Sequence, residues 1–372
     1  APVGRNLMQP PRLDPLPPGL VSLDAHQRHA EQWLGPDRLA FFTGAAADGL
    51  TDAENRAAWS RLQLAPRVLA SMQDSHTRTP LLGQTLDWPL LLAPVAHQRL
   101  AHPDGEIATA FAAQVSQTGM VLSTLSNTPV EQVAAILQHE PALAPPLWFQ
   151  LYLQPDRADT LALLRRAEAT GCQALVLTVD APVQGIRDAE RRHPLQWPPE
   201  IRSAHLPAAV HQPGAGLCQG LASSAPTWDD VRWLLDQTAL PLLLKGITHP
   251  DDARLAQTLG VAGLIVSNHG GRTLDTMPAT ATLLPRVRQA VGSGFPVLVD
   301  GGIRRGTDLF KALALGADAA LLGRPQVFGL ANAGARGVAH VLRLLRDEFE
   351  AAMLLCGCPH VASIQPSHLF ID

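Results

Sequence analysis

The stretch GLIVSNHGGRTLD, residues 263–275, decides how the fold is read. Gly263, Leu264, Ile265 and Val266 form a short apolar run with the length and β-branching of a buried strand. The run breaks at once into Ser267, Asn268, His269, two glycines and Arg272. Gly270 and Gly271 let the backbone turn without a Cβ penalty, so His269 and Arg272 fall where a parallel strand hands over to its loop. A guanidinium there holds a carboxylate by paired hydrogen bonds, and a neutral imidazole beside it takes a proton. One such pair alone reads better as a solvated loop with a capping histidine. The surrounding chain reverses that preference.

Counting GLIVSNH, eight short apolar runs end in polar or glycine residues from about residue 90 onward. The others are PLLLAPVA, GMVLST, LWFQLYL, ALVLTVD, LPLLLKGI, FPVLVDGG and AALLGRP. Stretches of helical character lie between most of them, including Gly105 to Ser116, Val130 to Gln138, Arg157 to Thr170, Asp251 to Leu259 and Gly306 to Leu315. Strands alternating with helices predict an α/β fold, a parallel TIM (β/α)8 barrel. Continuous apolar character fits strands covered by helices outside and filled inside.

Ahead of the barrel, residues 22–64 read as helical, with Thr51 and Glu54 spaced as a capping box. Residues 1–21 form a proline-rich arm, and residues 22–372 the barrel domain. After the fourth strand, residues 181–226 form a connection far longer than usual, rich in proline, arginine and histidine. It reads as an active-site loop, with a plain surface insertion as the alternative. A last helix is expected from about Val338 to Cys356.

The chain has 372 residues, 46% of them hydrophobic, with a formal net charge of -4. That suits one barrel with additions and gives no sign of nucleic-acid binding. The apolar runs are too short to span a bilayer, and the start lacks the apolar core of a signal peptide. The four cysteines, Cys172, Cys218, Cys356 and Cys358, make no disulfide framework, and Cys356-Gly-Cys358 lacks metal-site spacing. Incidental thiols and a reducing cytoplasm are expected.

In such barrels chemistry gathers where the strands end. The ends carry Pro94-Val95-Ala96, Ser123, Gln150 with Tyr152, Thr178 with Asp180, Lys245, Ser267 with His269, Asp300 to Arg304, and Gly323-Arg324. A barrel that only had to fold has no reason to place a hydrogen-bonding or charged residue at nearly every strand end. After the seventh and eighth strands, two glycine turns, a helix start near Thr307, and Arg304 with Arg324 predict a phosphate site.

SNHGGRTLD, LTVDAPV, FQLY, LLLKGI, LAPVAHQRLAHPDGE and DGGIRRGTDLFKALALGADAALLGRP closely resemble the FMN-dependent 2-hydroxy-acid oxidase and dehydrogenase family. Glycolate oxidase, lactate oxidase and mandelate dehydrogenase are members, and the hydroxymandelate-oxidase-like branch looks nearest. The resemblance runs from about residue 38 to the C-terminal helix. It implies FMN across the barrel mouth. Pro94, Val95 and Ala96 would pack on the isoalloxazine, and Ser123, Gln150 and Thr178 would bond its pyrimidine edge. Lys245 would stabilise negative charge on the reduced ring, that anion serving as its counter-charge. Ser267 would meet the ribityl chain, while Asp300, Gly302, Arg304, Gly323 and Arg324 would hold the ribityl and phosphate end.

The resemblance also implies that Arg187 and Arg272 bind the substrate carboxylate, His269 acts as base, Asp180 orients it, and Tyr152 bonds the substrate hydroxyl. Where the family has a carboxylate-binding tyrosine, this chain reads Phe41, or Ala40 with a one-residue slip. The lost hydrogen bond is worth roughly 0.5–1.5 kcal/mol. With Leu125 and Gln184, this predicts a larger or aromatic, mandelate-like L-2-hydroxy acid. Ala96 beside the flavin leans towards oxygen as electron acceptor; a quinone or other acceptor is the alternative. The resemblance suggests a homotetramer or larger ring, and a cytoplasmic protein with neither membrane anchor nor nucleic-acid partner is the expected setting. Competing readings are oxidation of a more complex biosynthetic intermediate and an FMN-binding protein without turnover.

Overall fold

The computed structural model describes residues 10–206 and 225–370. Eight strands close into a parallel barrel: β1 (Leu90–Leu92), β2 (Gly119–Ser123), β3 (Leu147–Leu151), β4 (Ala174–Thr178), β5 (Leu242–Ile247), β6 (Gly263–Val266), β7 (Val297–Val299) and β8 (Ala319–Leu322). Each pairs with the next, and Leu321 opposite Leu91 closes the ring. The (β/α)8 architecture read from the sequence is therefore the one found.

Side chains alternate between the two faces of each strand. Leu91, Val121, Trp148, Val176, Leu243, Ile265, Leu298 and Leu321, one per strand, pack together as the barrel filling. Their neighbours, such as Leu90, Leu122, Leu177 and Leu244, join the larger core beneath the helices. A hairpin of Thr79–Leu81 and Gln84–Leu86 sends Leu81 and Leu86 into the inner cluster just before β1. It stoppers the end where the strands begin, leaving the opposite end for chemistry.

The helices Gly105–Val115, Val130–Leu137, Arg157–Ala169, Pro250–Leu259 and Gly306–Ala314 agree with the sequence within a residue or two. Trp228–Gln237 and Thr280–Val291 complete the set, the latter masked in sequence by Pro285. The last helix begins earlier than expected, at Arg324, and runs to Leu355 with a break at Ala333 and Gly334. Of the long connection, residues 181–206 and 225–226 are described, with a short helix at Asp188–Arg192. The rest, with Cys218, lies outside the described residues, as do residues 1–9 of the arm. The other three cysteines are buried and unpaired.

The leading segment folds as Leu23–Ala30, Pro36–Thr43 and Leu50–Arg61. The expected capping box at Thr51 does not form, because Thr51 already lies inside the third helix, behind Gly49. Asp275, from the loop after β6, replaces it and accepts the Thr51 N–H at 2.8 Å. This helix lies across the ends of β6 and β7. Asn55 exchanges hydrogen bonds with buried Asn268, both at 2.8 Å, and Trp59 donates to the Gly301 carbonyl. Among the described residues, no helix is long and apolar enough to cross a membrane.

Candidate active site

A cavity of about 520 Å³ opens where the barrel strands end. Every residue singled out from the sequence as cofactor- or substrate-binding lines it, except Ser267. Asp180 also stands behind the lining. Ser267 is fully buried, and its hydroxyl accepts from Lys245 Nζ and from the His269 N–H, each at 3.1 Å. Its visible task is to tie the lysine to the turn that carries the histidine.

His269 sits at φ 55°, a left-handed conformation uncommon outside glycine. The turn aims its Nδ1 at Asp180 Oδ1, 2.9 Å away. A carboxylate there fixes the proton on Nδ1 and leaves Nε2 as a free acceptor. Burial opposes the Asp180 charge, but Lys245 and His269 outweigh it and hold the carboxyl below the usual range. Gly246 makes the room. It forms a bulge in β5 at φ 107°, and a Cβ there would lie 2.4 Å from the Asp180 Cβ.

Lys245 is 5% exposed, with Asp300 Oδ2 3.4 Å from its Nζ. The sequence reading left this lysine without a protein counter-charge; the structure supplies two. Burial disfavours the ammonium, but Asp300 and Asp180 prevail and raise its pKa above the lysine norm. Asp300 thus faces Lys245 with one oxygen, while its Oδ1 is buried without a partner.

Across the cavity, Arg272 donates to the Phe41, Phe42 and Gly44 carbonyls at 2.7–3.0 Å. These are groups that the end of the second leading helix leaves open. Arg187 pairs with Glu190 at 2.5 Å, and Glu190 lies 3.6 Å from Arg272, so one carboxylate spans both guanidiniums. Burial, with Arg187 and Arg324 nearby, presses the Arg272 pKa down to about 9. Arg187 Nε is buried without a partner. This corner carries excess positive charge suited to an organic carboxylate.

A second cationic corner lies beyond β7 and β8. Burial and the neighbouring Arg324 press the Arg304 pKa down to about 9, and Arg304 Nε has no partner. Arg324 is held by Asp52 at 2.5 Å and by the Gly270 carbonyl.

A family model described as FMN-dependent dehydrogenase matches residues 30–371. The chain belongs to that family. It is 50% identical over 358 residues to an L-lactate oxidase of Alicycliphilus denitrificans, covering 94% of this chain and 96% of that protein. It is 42% identical to glycolate oxidase 1 of Zea mays, covering 95% and 96% of the two chains. Among solved structures, a mandelate oxidase superposes with a TM-score of 0.85 at 38% identity, covering 95% of this chain and 98% of that one. The protein is an FMN-dependent oxidoreductase acting on the CH–OH group of a 2-hydroxy acid.

The mouth fits FMN by its unpartnered atoms. Gln150 Oε1 accepts from Ser123 Oγ and the Thr124 N–H at 3.2 Å, which leaves Gln150 Nε2 buried and unpaired, a donor in search of an acceptor. Asp300 Oδ1 offers the complementary acceptor, and the Arg304 and Arg324 corner suits a phosphate.

Part of the cavity wall comes from residues with little or no signal in the sequence. Trp197, from the long connection, packs edge-on against Phe41 at 5.8 Å and His97 at 5.0 Å between ring centroids. His97, Ala181 and Val183 also line the cavity. Trp197 had one signal, an indole in an otherwise polar loop at a mouth; His97, inside LAPVAHQRL, had none. Phe41 lines the cavity, whereas Ala40 is buried away from it.

Proposed function

We propose that the protein oxidises an L-2-hydroxy acid with a larger, aromatic side group, mandelate-like, to the 2-oxo acid. The reading is carried by the His269–Asp180 pair facing the Arg187 and Arg272 guanidiniums in one cavity. The two arginines hold the substrate carboxylate and set its C2 against the base. His269 Nε2 takes a proton from the substrate, and the Asp180 carboxylate stabilises the imidazolium so formed. Tyr152, the only tyrosine in the chain, lines the same cavity and bonds the substrate hydroxyl. Burial raises the Tyr152 pKa, so its phenol stays protonated as a donor.

FMN, when bound, supplies the two-electron acceptor. Pro94, Val95 and Ala96 form the wall for its ring, while Ser123, Gln150 and Thr178 face its polar edge. Lys245 offsets negative charge near that edge, and Gly302, Arg304, Gly323 and Arg324 hold the phosphate end. Oxygen is the proposed final acceptor. Ala96 beside the ring and the oxidase descriptions of the relatives support it.

The aromatic side group rests on Phe41 and Trp197, which enclose the substrate side with Leu125. A short acid such as lactate is the second reading, favoured by the 50% identity to a protein described as an L-lactate oxidase. Anaerobic mixing of the yellow holoenzyme with each enantiomer of mandelate and lactate separates the two. Faster bleaching by L-mandelate, recovery of colour in air and formation of the 2-oxo acid are expected. Bleaching by lactate alone establishes the second reading. An oxidised flavin after a broad panel of 2-hydroxy acids refutes both.

A further inference from the structure

His97 places a polar ring among Phe41, Leu125, Val183 and Trp197 in the cavity wall. Its backbone is left-handed, φ 52°, a costly conformation for a bulky residue. Its ring packs against Trp197 at 5.0 Å and Phe41 at 6.2 Å, with Leu125 and Val183 lining the same cavity.

The neighbours fix its tautomer. The Arg99 N–H donates to Asn127 Oδ1 at 3.1 Å, which sets the orientation of that amide. Asn127 Nδ2 then donates to the Arg202 carbonyl at 2.8 Å and to His97 Nδ1 at 3.1 Å. Nδ1 is therefore an acceptor, and the ring hydrogen sits on Nε2. Among the described residues, no protein acceptor takes that hydrogen. Burial lowers the His97 pKa to about 4, so the ring is neutral near pH 7.

Resting on the aromatic-acid reading above, we infer that His97 is a specificity-determining residue that donates its Nε2 hydrogen to an uncharged oxygen on the distal part of the substrate side group. A neutral donor cannot neutralise a second carboxylate, and it offers nothing to an ammonium. The substrate class is an aromatic 2-hydroxy acid bearing a phenol, ether or carbonyl oxygen.

The test compares 4-methoxymandelate with 4-ethylmandelate, which share a shape and differ in the acceptor. Wild-type holoenzyme is expected to favour the methoxy acid in kcat/KM by about threefold to tenfold. His97→Phe, which keeps a ring against Trp197 and withdraws the donor, is expected to bring the ratio to about one. His97→Gln, which keeps an N–H, is expected to retain part of the preference. A wild-type ratio near one, or an undiminished ratio in His97→Phe, overturns the inference. Should that variant fail to bind FMN, the wild-type ratio still decides. Flavin bleached by lactate but by neither mandelate overturns this inference and leaves the oxidation standing. Flavin bleached by no 2-hydroxy acid refutes the proposed function itself.

Discussion

His269 Nδ1 and Asp180 Oδ1 meet at 2.9 Å, although 89 residues separate them in sequence. The contact joins the ends of β4 and β6 over the β5 bulge at Gly246. If the carboxylate sets the tautomer and supports the imidazolium, Asp180→Asn should slow anaerobic flavin reduction by about 10²–10⁴-fold, with a much smaller change in KM. Stopped-flow absorbance reads both. A rate within about tenfold of wild type would remove Asp180 from the proposed chemistry.

Gly246→Ala should be severe for two separate reasons. Its φ of 107° suits glycine, and the added methyl would collide with the Asp180 Cβ at 2.4 Å. A loss of about 2–4 kcal/mol in urea unfolding is expected, together with displacement of Asp180 from His269. Stability within about 0.5 kcal/mol of wild type would show that the bulge accommodates a side chain.

The two arginines should differ in their second effect. Arg187→Met removes a charge-assisted contact to the substrate, so KM should rise about tenfold to a hundredfold. Arg272→Met should raise KM comparably and also lower Tm, because the Phe41, Phe42 and Gly44 carbonyls lose their donor. Thermal melts of the FMN-loaded variants check the distinction. Equal Tm losses in both variants would contradict it.

Buried His26 gives the fold an acid-sensitive point. It is 0% exposed, and burial, then His340 and His29, lower its pKa to about 4. The unfolded chain takes up a proton near pH 6.5, whereas the folded chain resists until about pH 4. This group's stabilisation is therefore full above pH 6.5 and is lost as pH falls through that window. The loss is on the order of 2–3 kcal/mol. Urea unfolding of wild type and His26→Gln at pH 7 and pH 4.5 reads it. The variant should lose less stability between the two pH values; an equal loss would contradict the assignment.

The barrel was legible because each strand is an apolar run ending in polar residues, a local pattern set by burial on both faces. The cavity-lining residues were legible for the same reason, since strand ends are countable along the chain. Contacts made across the fold left no local trace. The Thr51 capping box does not form because Thr51 lies inside that helix, where Asp275, 224 residues away, accepts its N–H. Lys245 looked uncompensated because Asp300 lies two strands further on, and the ring contacts of His97 depend on a loop folding back to bring Trp197 over the mouth.

The most direct test of the central claim is anaerobic stopped-flow reduction of FMN-loaded His269→Ala by the best 2-hydroxy acid for wild type. An unchanged oxidised flavin spectrum and reduction slowed by about 10²–10⁴-fold are expected. Reduction at the wild-type rate would contradict the assignment of His269 as base, and with it the proposed mechanism.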